Sequence, residues 1–235
     1  LPGVEKNDEH HSLKFLQIDG MLRADLVLVN SSWGIHIVNQ GLNTLLKTHS
    51  IDKIYDFPPP ILKSYSSLEH LDYIVYNHRI SPHPYYSSAL ERLKSIVNGI
   101  DNVIYFTNPS RKDELQFSFN YSYIDLDDTD KYLDFLSKSF CSISCIFDQG
   151  ATWSMSIIDS IACGVPTLIP RIPGYLCMLP NNYPLFYETV DEGREKLLLL
   201  LKNRFSILGF SEYVNKQYGR EATLSRFNHI VNEVL

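Results

Sequence analysis

The stretch SISCIFDQGATWSMSIIDSIACGVPTLIP, Ser142 to Pro170, holds a short apolar run, a polar loop around Gly150, a helical segment closed by Gly164 and a second apolar run. Both apolar runs are too short for a helix and carry no charge, so both read as strands covered on two faces. A strand, a helix and a second such strand are the repeating unit of a parallel sheet.

The same rhythm runs upstream. DYIVYN reads as a strand, SSALERLKSIVNG as a helix ending at Gly99, NVIYF as a strand, SRKDELQF as a short helix and YSYIDL as a strand. DTDKYLDFLSKSF follows as a helix with an aspartate start. The pattern predicts an α/β fold, a doubly wound, Rossmann-like parallel sheet.

Before it, SLKFLQIDGML reads as helix, ADLVLVN as strand, GIHIVNQGLNTLLKT as helix, and IDKIYDF as a strand running into Pro58-Pro59-Pro60. Three prolines continue neither a helix nor a central strand and mark a stiff linker. The expected division is a partial α/β domain and hinge at 1–60, the doubly wound domain at 61–218 and a terminal helix at 219–235. That helix carries an apolar face of Leu224, Phe227, Ile230, Val231 and Val234. Residues 1–57 hold too few strands to close a sheet, so they are expected to pack on a missing N-terminal segment, a separate chain or another copy.

Composition narrows the classes. The 235 residues, 44% apolar, can bury one large core or two modest ones. The apolar run at Leu197–Leu201 falls far short of the roughly 20 residues a membrane helix needs, so no membrane span is expected. LPGVEKNDEHH shows neither part of a signal peptide. A net charge of −6 weighs against non-specific nucleic-acid binding. Cys141, Cys145, Cys163 and Cys177 lack disulfide-framework spacing, and a reducing, cytoplasmic setting is expected.

In a doubly wound sheet, ligands bind at the carboxyl ends of the strands. Gly150 permits a tight turn there, and the N–H groups near Thr152, Trp153 and Ser154 would face an anion such as a diphosphate. Asp159 lies one and a half turns into the helix, placed either to accept from a sugar diol or to solvate a helix face. Asp125, Asp127 and Asp128 open a helix, where capping explains them without a metal. Cys141 and Cys145 have no second ligand pair and read as buried thiols, so no metal site is expected.

Ala151–Pro166, ATWSMSIIDSIACGVP, resembles the signature of retaining GT-B glycosyltransferases of family 4, the glycogen synthase or group 1 type. In that signature a glutamate, seven residues and a second glutamate precede a small-residue run ending Cys-Gly-Val-Pro. Asp159 takes the second acidic position, which in the family holds the ribose. Ala151 departs at the first, where a glutamate would contact the donor sugar, and the resemblance leaves Asp148 and Gln149 as catalytic substitutes. IVYNHRISPHPYY, Ile74–Tyr86, is similar to the family's arginine loop. Arg79 would fork onto the donor diphosphate, or else form a salt bridge at a strand end. Pro84 stands where the family has a lysine, leaving its neighbour His83 as the candidate cation, and Tyr123 and Ile124 would border the base. RADLVLVNSSWGIHIVNQGL resembles the end of the family's acceptor-binding domain.

The resemblance implies transfer of a sugar from a UDP- or GDP-linked nucleotide diphosphate to an unidentified acceptor, with retention of configuration, no metal and no further cofactor. The acceptor stays open among a glycan, a lipid and a modified nucleoside in nucleic acid. The alternative is a non-catalytic nucleotide-sugar-binding or interaction module of the same ancestry, which the Ala151 and Pro84 departures favour.

Overall fold

The computed structural model describes residues 19–46, 51, 53–61, 63–67, 71–78, 80, 84–107, 116–126, 128–203 and 206–234, with the side chains of 45, 46, 84–86 and 234 excepted. A helical turn at 19–23 (α1) leads into β1 (Val27–Val29), α2 (Ser32–Leu46) and β2 (Ile54–Asp56). The chain then passes the proline triplet into β3 (Leu71–Tyr76), α3 (Pro84–Val97), β4 (Val103–Phe106) and β5 (Tyr121–Tyr123). Next come α4 (Thr129–Ser137), β6 (Ser139–Ile143), α5 (Met155–Ala162), β7 (Thr167–Pro170), α6 (Pro173–Leu176) and β8 (Phe186–Tyr187). Three helices close the chain: α7 (Val190–Lys202), α8 (Leu208–Tyr218) and α9 (Arg220–Val234). No helix among the described residues is long and apolar enough to cross a membrane.

The main sheet has six parallel strands in the order β5-β4-β3-β6-β7-β8. The first strand in sequence lies at the middle and the chain reverses direction between β3 and β6, the defining order of a doubly wound fold. Alternation along β3 separates the two faces. Ile74 and Tyr76 pack with Leu90, Leu93 and Ile96 of α3, whereas Tyr73 and Val75 pack with Leu133 and Leu136 of α4. Helix α7 joins α3 on the first face, closely enough that a Cβ on Gly193 would stand 2.9 Å from the Tyr187 ring. Helices α5 and α8 join α4 on the second.

The helix ends follow local chemistry. Asp128 accepts from the N–H groups of Asp130 and Lys131 and opens α4. Ser154 caps α5 through Ile157 N–H, and Gly164, at φ 77°, closes it in the left-handed region. Cys141, Cys145 and Cys163 are buried, which pushes their thiols up, and Cys177 is exposed.

Strands β1 and β2 pair in parallel across α2 in a sheet of their own. Helix α9 runs back over this unit, with the Phe227 ring 6.0 Å from Phe57. Ile61 donates to Tyr218 O at 2.7 Å where the connections cross.

Several boundaries differ from the sequence reading. Helix α4 ends at Ser137 and not at Phe140, and the strand is Ser139–Ile143 where Ser142–Phe147 was expected. Pairing decides this, because Leu71 lies opposite Ser139 and its N–H donates to Lys138 O at 2.7 Å. Strand β5 stops at Tyr123 and not at Leu126, and α3 begins earlier than expected, at Pro84, where a missing N–H costs nothing. Residues 110–115 of the expected short helix lie outside the described residues, and 116–117 are not helical.

Two glycines make opposite predictions. Gly164→Ala should cost about 1–2 kcal/mol, because an L side chain is strained at positive φ. Gly41→Ala, inside α2 with nothing within 4 Å of a new Cβ, should gain roughly 0.5–1 kcal/mol. Urea midpoints with unchanged slopes check both, and equal shifts in one direction would contradict the assignment.

Candidate functional site

The reversal between β3 and β6 splits the loops that leave these strands and opens a crevice at their carboxyl ends. Asn77 sits directly after β3, 6% exposed. Its Nδ2 lies within donating distance of Tyr132 Oη and Ser156 O, both at 2.9 Å, and of Ser160 Oγ at 3.1 Å. Its Oδ1 accepts from Ser142 Oγ at 3.2 Å, and its carbonyl accepts from Ser156 Oγ at 2.8 Å. One side chain thus joins β3, β6, α4 and α5.

Asp159 lies on top of this junction. Its Oδ2 accepts from the Tyr132 hydroxyl at 3.4 Å. Burial raises the Asp159 carboxyl from 3.8 to about 6, against the smaller downward pull of Tyr132. Next to Asn77, His78 is buried with its ring 5.4 Å from that of Tyr76, and burial lowers its imidazole from 6.5 to about 4.

The loop after β6 is fixed at both ends. At its start, Tyr187 Oη donates to Ser144 O at 2.5 Å, and Arg92 donates to Cys145 O at 3.3 Å with its guanidinium 5.0 Å from the Phe147 ring. Asp148 Oδ1 folds back to accept Gly150 N–H at 2.8 Å. Two contacts then come from the α2 unit: Trp33 Nε1 donates to Gln149 O at 2.9 Å, and Ser31 Oγ donates to Thr152 O at 2.7 Å. From α6, Gly174 approaches so closely that a Cβ there would lie 1.8 Å from Ala151 O. The Trp153 ring leans edge-on to Tyr218 at 4.9 Å, and its Nε1 donates to Met155 Sδ at 3.3 Å. A cavity of about 190 Å³ opens behind the loop, lined by Ser32, Trp153, Cys177, Gln217, Tyr218 and Arg226 among others.

The structure therefore brings together Asp159, Ser154 and the backbone of Gly150–Trp153 at one end of the sheet. Asp148 and Gln149 are on the same loop and exposed. Tyr123 ends β5 and Ile124 directly follows it, two strands from the crevice on the same end of the sheet. The Tyr123 ring packs 5.5 Å from Phe106, and Ile124 N–H donates to Phe106 O at 3.0 Å. Arg79 and His83 lie outside the described residues. Sequence reasoning did not assign Asn77, Tyr132, Ser31 or Trp33 to the site. Asn77 followed a visible cue, a polar residue placed directly after a buried strand, and Ser31 and Trp33 fall in the stretch that resembles the end of the family's acceptor-binding domain. Among the described residues, no group of three or more His, Cys, Asp or Glu side chains is placed to hold a metal ion.

A doubly wound sheet binds its ligands at the switch point, and comparison with solved structures narrows the type of fold. No family model matches the sequence, and no curated protein matches it significantly. Among solved structures, a glycine-to-arginine mutant of S. aureus TarM in complex with fondaparinux, α-GlcNAc-glycerol and UDP is similar over 94% of this chain and 46% of its own, with a TM-score of 0.68 at 14% identity. Sucrose-phosphate synthase from Thermosynechococcus elongatus matches over 94% of this chain and 61% of its own, at TM-score 0.66 and 13% identity. Anabaena HepE in complex with UDP-glucose matches over 93% and 66%, at TM-score 0.64 and 10% identity. The fold is that of the GT-B glycosyltransferases. The chain spans roughly half to two thirds of the length of these structures.

The two buried titrating groups pull stability in opposite directions. Asp159 holds its proton more tightly in the folded chain, so it leaves stability intact below about pH 4 and erodes it as pH rises through 6. His78 holds its proton less tightly when folded, so its contribution is complete above 6.5 and is lost as pH falls toward 4. Asp159→Asn should therefore raise stability at pH 7 by about 1–3 kcal/mol. It should also expose the His78 slope, with stability climbing from pH 4 to 6.5. Urea unfolding of both proteins across this range measures it, and a variant no more stable than its parent at pH 7 would refute the burial cost.

Proposed function

We propose that this chain supplies the donor-binding half of a retaining, metal-independent glycosyltransferase that takes its sugar from a nucleotide diphosphate, UDP first among the candidates. The observation that carries this reading is a carboxylate held at the switch point beside the free end of a helix. Asp159, oriented by Tyr132 and Asn77, is just over one turn from the start of α5. A ribose diol on Asp159 would leave its diphosphate near that start, where the first N–H groups have no partner within the helix.

The chemistry follows from charge. As the bond to the sugar breaks, negative charge grows on the diphosphate, and fixed N–H dipoles stabilise it more than they stabilise the intact donor. Arg79, three residues beyond β3, is proposed as the side-chain cation for the same oxygens. The acceptor would attack from the side of the β1–α2–β2 unit, and a glycan, a lipid and a modified nucleoside are the classes to test. The UDP bound to TarM and the UDP-glucose bound to HepE guide the choice of probe. Buried thiols suit the reducing cytoplasm as the place of reaction.

A second reading rests on Ala151. That position offers only a methyl group, and the nearby Asp148 carboxylate is turned onto Gly150 N–H. On this reading the chain binds a nucleotide sugar without transferring it.

Calorimetry with UDP, GDP, UDP-glucose and UDP-GlcNAc tests the binding step. A UDP-linked ligand should bind, and Asp159→Asn should weaken it about 5- to 100-fold, the worth of a hydrogen bond to a charged acceptor. Binding should also fall with pH below about 6, as Asp159 takes up its proton. Unchanged affinity in Asp159→Asn would reject the ribose role. Turnover that retains the anomeric configuration and survives EDTA separates the transferase from the binding module.

A further inference from the structure

We propose that Ser31 and Trp33, at the start of α2, are positioning residues for the diphosphate site, acting from the β1–α2–β2 unit on the backbone of the 149–154 loop. This rests on the reading of that loop as the diphosphate cradle. A trans peptide is planar, so its carbonyl and the following N–H point in opposite directions. Whatever holds a loop carbonyl therefore also aims the next N–H.

Three carbonyls of this loop are held from outside it. Trp33 Nε1 takes that of Gln149, which turns Gly150 N–H away from α2 onto Asp148 Oδ1, so this anchor fixes the turn that leads into the Thr152–Ser154 donors and supplies no donor itself. Ser31 Oγ takes that of Thr152 at 2.7 Å, which turns Trp153 N–H away from α2. The carbonyl of Ala151 lies against Gly174, where no side chain would fit, and this aims Thr152 N–H away from α6. Loop backbone without these anchors would sample several peptide orientations, and ordering them would cost affinity when the anion bound.

Both anchoring side chains are themselves fixed. Ser31 is 3% exposed, and its oxygen also accepts Gly34 N–H at 3.1 Å, so one hydroxyl caps α2 and donates to the loop. The Trp33 indole stacks on the His36 ring at 4.5 Å and 17°, which sets the direction of its N–H. Ser32, between them, donates to Cys177 Sγ at 3.3 Å and ties the same turn to the end of α6. The α2 unit thus acts on the proposed donor site through the loop backbone.

Trp33→Phe removes the N–H and keeps a stacking ring, and Ser31→Ala removes the hydroxyl, with Ser31→Thr as the conservative control. The readout is the ratio of UDP to uridine affinity, measured by calorimetry and by ligand NMR on the full chain. Uridine has the ribose without the diphosphate, so a positioning role on the cradle lowers UDP affinity alone. Trp33→Phe and Ser31→Ala should each reduce the ratio about five- to tenfold, and Ser31→Thr should restore it. Asp159→Asn, by contrast, should weaken both ligands and leave the ratio near its parent value. Equal loss of UDP and uridine affinity in Trp33→Phe, or no loss, overturns the proposal while leaving the nucleotide site standing. Failure of the parent chain to bind UDP at all overturns both. Ser31→Ala also loses a helix cap, so the thermal midpoint of each variant is recorded, and Trp33→Phe decides if Ser31→Ala unfolds.

Discussion

The amide of Asn77 is the contact on which the site depends. Buried polar groups are tolerated only when satisfied, and this one, at the end of β3, is satisfied from three other elements at once: β6, α4 and α5. Each partner lies on an element that the sheet holds in place by apolar packing. The geometry is therefore over-determined, and the split between β3 and β6 becomes a rigid notch. Asp159 inherits its orientation from this arrangement through Tyr132.

That orientation is held against a solvation cost. A mostly buried carboxylate facing a single hydroxyl is poorly compensated, which is why its proton binds more tightly than in water. A ligand offering two hydroxyls would supply the missing donors. Under the proposed ribose role, that unmet demand lies where the diol would sit, a common trade of stability against function.

Strands that are apolar on both faces were legible in the sequence, as β3, β4 and β7 show, because a covered parallel strand leaves no other pattern. The caps of α4 and α5 were legible for the same local reason, with Asp128, Ser154 and Gly164 each acting within a few residues. The junction of α4 and β6 was not. KSFCSISCIF contains neither glycine nor proline, and its apolar residues fit both periods, so only pairing with β3 fixes the boundary. The site divides in the same way. Asp159 could be placed from its spacing to the loop, whereas Tyr132, 27 residues away, and the contact from Ser31 to Thr152, across 121 residues, exist only in three dimensions.

The unequal burial of the cysteines has a practical consequence for watching this molecule work. Thiolate is the species that reacts with alkylating reagents, and burial suppresses it at Cys141, Cys145 and Cys163. Cys177 is the exposed thiol, and its sulfur sits beside Ser32 at the junction of α2 and α6. The unaltered chain therefore offers one address for a fluorophore or spin label, next to the contact between its two sheets. A probe placed there would report on whether that contact is made or broken, without any substitution in the protein.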